Sequence, residues 1–115
     1  SRSVPELNPG PFPVFTSNKN ISVNQNQTKT LGQQGGTDTY DNVTVAGTLN
    51  VSNNYTEYYI KNMNLQFDGV VNFNAGDYWI ENLSVSSSTI INVVGGGTAR
   101  LFVKNAVSFG SSGYR

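Results

Sequence analysis

The 115 residues include no cysteine and no histidine. That absence excludes disulfides, thiol chemistry, the usual zinc sites and imidazole acid/base catalysis. Charge is scarce too: seven Lys and Arg stand against seven Asp and Glu, 12% of the chain with no net charge, well under the usual ~25%. Such a chain has no electrostatic grip on nucleic acid or on an anionic membrane surface, so neither is an expected partner. No apolar run reaches the ~18 residues of a membrane span, and membrane insertion is not expected. The chain opens Ser1-Arg2-Ser3, without a methionine or an apolar leader, and reads as a processed or excised segment. Helical periodicity is missing from residue 19 onward, and proline is missing beyond residue 13: Pro5, Pro9, Pro11 and Pro13 all lie near the start. That density favours an extended arm over helix or central strand.

What is present is a five-residue phrase that returns five times. It reads Lys19-Asn20-Ile21-Ser22-Val23, Asp41-Asn42-Val43-Thr44-Val45, Lys61-Asn62-Met63-Asn64-Leu65, Glu81-Asn82-Leu83-Ser84-Val85 and, loosened by one residue, Lys104-Asn105-Ala106-Val107-Ser108-Phe109. Its asparagines are 22, 20, 20 and 23 residues apart. Apolar and small polar residues alternate within each phrase, which is strand periodicity. A strand recurring at a near-fixed step predicts an all-β fold, a parallel β-solenoid (β-helix) of about four to five turns with roughly 20–23 residues per turn.

In such a stack, equivalent positions lie about 4.8 Å apart. The residue opening the phrase alternates in sign, Lys19, Asp41, Lys61, Glu81, Lys104, so each charge is expected to meet its opposite in the neighbouring turns. Exposed pairs contribute ~0.2–1 kcal/mol each, which makes them a register device more than a source of stability. The asparagines Asn20, Asn42, Asn62, Asn82 and Asn105 are expected at corners, with left-handed backbone angles and side-chain amides bonded from turn to turn as a structural ladder.

Each turn is predicted to hold up to three short strands. A second strand reads Leu49-Asn50-Val51, Val71-Asn72-Phe73 and Ile91-Asn92-Val93, and a third Tyr58-Tyr59-Ile60, Tyr78-Trp79-Ile80 and Leu101-Phe102-Val103. Turn formers such as Ala46-Gly47, Asp68-Gly69 and Gly95-Gly96-Gly97 separate them. The first turn is poor in apolar residues, with Gly32-Gln33-Gln34-Gly35-Gly36 where later turns have strands. Residues 1–18 form a proline-rich N-terminal arm or cap, whose Phe12, Val14 and Phe15 are expected to cover the first coil; residues 19–115 form the solenoid. The last turn stops after its first strand, as though cut from a longer array or closed by another chain.

Alternation places Tyr58, Tyr78 and Leu101 on one face with Ile60, Ile80 and Val103, and Tyr59, Trp79 and Phe102 on the other. If the aliphatic face is internal, Tyr59, Trp79 and Phe102 form an outer stripe. It either packs beneath a loop or the arm, or serves as a ligand-binding platform for sugar rings or a protein partner.

Catalytic candidates are few. The acids Glu6, Asp38, Asp41, Glu57, Asp68, Asp77 and Glu81 look scattered over different turns, with no paired carboxylates as a glycosidase requires. No calcium-binding nonapeptide occurs, and Gly95-Gly96-Gly97 leads into a strand and so offers no phosphate cradle. No catalytic residue, metal site or cofactor is expected. Six glycosylation sequons, at Asn20, Asn26, Asn42, Asn50, Asn54 and Asn82, follow largely from composition.

The phrases Gly76-Asp77-Tyr78-Trp79-Ile80-Glu81-Asn82-Leu83 and Thr98-Ala99-Arg100-Leu101-Phe102-Val103-Lys104-Asn105, with the leader Asn8-Pro9-Gly10-Pro11-Phe12-Pro13, resemble the β-rich repeat region of MshQ-type proteins. These are large surface proteins associated with the mannose-sensitive haemagglutinin (MSHA) type IV pilus of marine and aquatic Gram-negative bacteria. The resemblance implies a non-enzymatic extracellular, cell-surface module of structural or adhesive role, with a glycan or a pilus or surface protein as candidate partner. Two alternatives stand beside it: a carbohydrate-binding module using the aromatic stripe, and a filament-forming solenoid subunit that self-associates end to end.

Overall fold

The computed structural model describes residues 12–108. Nine strands follow one another: β1 (Asn20–Val23), β2 (Thr28–Leu31), β3 (Thr39–Val45), β4 (Thr48–Val51), β5 (Glu57–Leu65), β6 (Val70–Phe73), β7 (Gly76–Val85), β8 (Ile90–Val93) and β9 (Ala99–Ser108). Odd strands stack as one five-stranded sheet in the order β1-β3-β5-β7-β9, and even strands as a four-stranded sheet, β2-β4-β6-β8. Every pairing is parallel. The chain is a parallel β-solenoid of about four turns, as the repeat predicted.

Each coil holds two strands, not three. The segment read as a third strand runs unbroken into the next phrase, so Tyr58-Tyr59-Ile60 and Lys61 to Leu65 together make β5. Ile60 is followed directly by Lys61 with no Gly or Pro at the junction, and so nothing ends the strand there. The strand bends instead. Ile60 and Met63 are buried while Lys61 and Asn62 between them both face outward, and Lys61 has no Cα partner in the ladder with β7. Two successive outward residues break the in-out alternation and swing the strand round a corner, much as a bulge does. The first coil also contains a strand the sequence reading missed, β2, set ahead of its glycine-rich loop.

The interior is built of columns. Tyr58 and Tyr78 are in register, fully buried, and stack at 5.2 Å with ring planes 7° apart. Ile60 and Ile80 form the next column, Val43 and Met63 another, Val71 lies over Leu49, and Phe73 packs edge-on against Tyr78 at 4.6 Å. Complete burial of each such side chain contributes roughly 1.5–3 kcal/mol. The tyrosine hydroxyls, carried into this apolar interior, find partners at the corners: Tyr58 donates to the Ser52 carbonyl at 2.6 Å, Tyr78 donates to the Asn74 carbonyl at 2.7 Å, and the Tyr40 hydroxyl accepts from the Gly32 amide at 3.0 Å. Burial pushes the Tyr78 hydroxyl up to about 12, with the neighbouring Tyr58 adding to the shift.

The asparagine ladder is continuous. Asn42 Nδ2 donates to Asn20 Oδ1 at 3.1 Å, Asn62 to Asn42 at 3.1 Å, Asn82 to Asn62 at 2.9 Å, and Asn105 to Asn82 at 3.1 Å. A second ladder runs on the even-stranded sheet, where Asn72 donates to Asn50 and Asn92 to Asn72, each at 2.9 Å. One expectation about these residues fails: the left-handed backbone angles fall elsewhere, at Asn26, Asp68 and Ser88. The ladder asparagines lie within strands, whose extended backbone keeps their amides one rung apart. Asn26, Asp68 and Ser88 are each the third residue of the four-residue turn between one strand and the next, where the chain must reverse tightly.

The alternating charges stand beside the registered asparagines but do not all pair. Of that column only Lys61 and Glu81 close within 4 Å among the described residues, at 3.9 Å. These residues sit at the corner, outside the regular ladder, and their long side chains splay into solvent.

Candidate functional site

The outward face of the odd-stranded sheet carries the predicted stripe. Tyr59 and Trp79 are partners in register, as are Trp79 and Phe102, so the three occupy one column over three coils. Trp79 and Phe102 stack at 4.4 Å, with planes 28° apart. All three are half-buried, and what covers part of them is the segment before β1. Phe12 meets Trp79 edge to face at 5.7 Å, and Phe15 lies 5.6 Å from the Tyr59 ring. Phe12 and Phe15 therefore cover the outer aromatic column, as the reading of the stripe as packed beneath the arm expects, rather than the first coil, and Val14, expected as a third cover, is 98% exposed. The physical reason is the fit of ring to ring: flat aromatic faces offer more contact to phenylalanine than the polar edge of β1 does. The rest of the arm, residues 1–11, lies outside the described residues.

Two residues before each aromatic stands a polar residue that strand alternation sends to the same face. Glu57, Asp77 and Arg100 form this second column, in register with one another. The acids are thus not all scattered, as the sequence reading had them: Glu57 and Asp77 occupy adjacent rungs. The signal was available, since both stand at the i−2 position to Tyr59 and Trp79. Arg100 grips Asp77 with a two-point bond, Nε to Oδ1 at 2.8 Å and a terminal nitrogen to Oδ2 at 2.9 Å, while its guanidinium lies 5.6 Å over the Phe102 ring. The Asp77 carboxylate holds the Arg100 guanidinium above its usual pKa. Glu57 accepts from the Tyr59 hydroxyl at 2.8 Å, and that bond raises the tyrosine pKa. The platform thus combines ring faces with a carboxylate and a guanidinium already oriented by their neighbours.

One atom of the platform is unsatisfied. The Trp79 indole Nε1 is buried and has no hydrogen-bond partner. A buried donor left unpaired costs about 1–3 kcal/mol. A cavity of about 260 Å³ lies apart from the platform, lined by Lys19, Thr30, Gln33, Thr37 and Tyr40, with no carboxylate in its wall. Among the described residues no group of three His, Cys, Asp or Glu side chains is placed to hold a metal ion. Compared with protein-family models, with curated proteins and with solved structures, the chain matches none.

Proposed function

We propose that the chain is a non-enzymatic structural and adhesive module, a rigid solenoid segment that spaces or presents a surface outside the cell within a pilus-associated protein of the kind its phrases resemble. The observation that carries this reading is the pair of amide ladders, which tie every coil to the next through six side-chain bonds of 2.9–3.1 Å. Ladder amides satisfy one another and leave little for a ligand, so their evident service is mechanical: they fix register and stiffen the stack. The low charge and the polar, amide-rich exterior support the same reading, because such a surface adheres through many short-range contacts and is little screened by salt. Both platform acids are already engaged, Asp77 by Arg100 and Glu57 by Tyr59, which favours presentation over proton transfer. Beads coated with the protein and washed under shear over glycoprotein, polysaccharide and bare glass should be retained above beads coated with an inert uncharged protein. Retention no better than that control on every surface refutes the adhesive role.

A second reading is favoured by the unsatisfied Trp79 indole and its stacked neighbour Phe102. Stacked rings flanked by Asp77 and Arg100 suit a sugar, whose apolar face lies on the rings once the Phe12 cover moves aside and opens the indole N–H to a hydroxyl. The expected result is binding on a glycan array that Trp79→Ala abolishes; equal signal from the variant refutes it.

A further inference from the structure

The segment that covers the aromatic column is held differently from the strands beneath it. Phe12 meets Trp79 at 5.7 Å, Phe15 meets Tyr59 at 5.6 Å, and the two phenylalanine rings lie 6.4 Å from each other. Between them Val14 points away, 98% exposed. None of residues 12–16 is in a strand or makes a hydrogen bond among the described residues. The first tie to a sheet is Ser17, whose hydroxyl donates to the Thr39 carbonyl at 2.9 Å. A segment fixed by a pair of ring contacts and no backbone bond belongs to the low-stability end of a fold, and it opens without disturbing the strands.

Seating also leaves a defect. With the cover in place the Trp79 indole Nε1 is buried and unpaired. Lifting loses ring contact but lets water or a ligand hydroxyl bond the N–H, so the seated and lifted forms are closely balanced. The Trp79 ring has two aromatic neighbours, Phe102 stacked at 4.4 Å and Phe12, and a sugar lies on the indole only by displacing one of them. Phe102 is fixed within β9, in register with Trp79 itself; Phe12 belongs to no strand.

We propose that residues 12–16 are an autoinhibitory strap, which closes the Trp79 platform to sugars when Phe12 and Phe15 are seated and opens it, indole N–H included, when they lift about Ser17. This regulation rests on the carbohydrate reading, since it governs the same rings. A ligand that binds only the lifted form has its affinity reduced by the fraction lifted. The seated strap is a built-in competitor, and weakening it strengthens binding.

The test places three proteins on one glycan array: the unaltered chain, Phe12→Ala, and Val14→Ala as a change at an exposed position of the same segment, each shown to be folded by circular dichroism. Phe12→Ala is expected to bind the same glycans about three- to tenfold more tightly than the unaltered chain, which corresponds to a strap lifted about 10–30% of the time. Val14→Ala is expected to match the unaltered chain. Without glycan, NMR should show the Trp79 indole proton exchanging with deuterium far faster than the backbone amides of Tyr58 and Ile80, and faster again, by a similar factor, in Phe12→Ala. Equal binding by the unaltered chain and Phe12→Ala, a gain that Val14→Ala reproduces, or an indole proton that exchanges no faster than the core amides overturns the strap and leaves the sugar reading standing. Binding of no glycan by any of the three refutes the sugar reading itself, and the inhibition falls with it.

Discussion

Replacing Asn62 tests whether the ladder holds the coils together or merely decorates them. Its Nδ2 donates to Asn42 at 3.1 Å and its Oδ1 accepts from Asn82 at 2.9 Å, so alanine removes two bonds and strands one partner on each side. Each hydrogen bond contributes a net ~0.5–1.5 kcal/mol. Because the site is half-exposed and water can reach the orphaned groups, the lower part of that range applies: about 1–2 kcal/mol in all, or roughly 5–10 °C in thermal midpoint. Asn64, two residues along the same strand, is exposed and makes no side-chain hydrogen bond among the described residues, so Asn64→Ala supplies the control. Asn62→Asp sharpens the test. An ionised aspartate keeps the bond from Asn82 but sets oxygen against Asn42 Oδ1, whereas its protonated form restores a donor. The folded state therefore raises this carboxyl above its ordinary ~3.9. Its favourable contribution is present at low pH and lost as pH rises through the folded value. Urea unfolding should find this variant weaker than Asn62→Ala at neutral pH and recovering in acid. If Asn62→Ala costs no more than Asn64→Ala, the ladder does not stabilise the stack.

Three further outcomes follow from the interior and the arm. Tyr78 is raised from 10.0 to about 12, chiefly by burial, so its contribution to stability is complete below pH 10 and is lost as pH rises through about 12; the loss is about 2–3 kcal/mol. Circular dichroism and tyrosinate absorbance should therefore report unfolding in that alkaline window, and Tyr78→Phe should blunt it. Gly32 sits at φ +76 with the Tyr58 ring 2.7 Å from where a Cβ would stand, whereas Gly35, at φ +81, faces open space. Gly32→Ala should cost about 2–4 kcal/mol in denaturant unfolding and Gly35→Ala only about 1; equal losses would show that the Tyr58 contact is immaterial. Phe12→Ala should move the emission of Trp79, the single tryptophan, to longer wavelength and remove about 1 kcal/mol, with the strand signal in circular dichroism unchanged.

The coil was legible because its signal is repeated. Five asparagines at a near-constant step fixed both the direction of stacking and the register, and the inward Tyr58 and Ile60 follow from alternation alone. The second ladder was visible as the Asn50, Asn72, Asn92 triplet, although not as hydrogen bonds. What escaped was local or long-range geometry without a repeated signature. The corner at Lys61 was marked by the asparagine beside it, but that the strand runs unbroken through it had no signature. That the arm would lie on the aromatic stripe was among the expectations, but the seating of Phe12 on Trp79 in particular joins segments 67 residues apart, which no periodicity encodes. The Asp77–Arg100 pair was hidden because the last step is 23 residues where the two before it are 20, so the partners stand out only once the strands are aligned.

The two amide columns share a sense: in every rung the donor belongs to the later coil and the acceptor to the earlier one. Backbone groups in a parallel sheet point alternately up and down the stack, so their dipoles largely cancel along its axis. The asparagine dipoles instead add. The amide columns therefore lend the stack a direction of their own, with their positive ends toward the first coil and their negative ends toward the last.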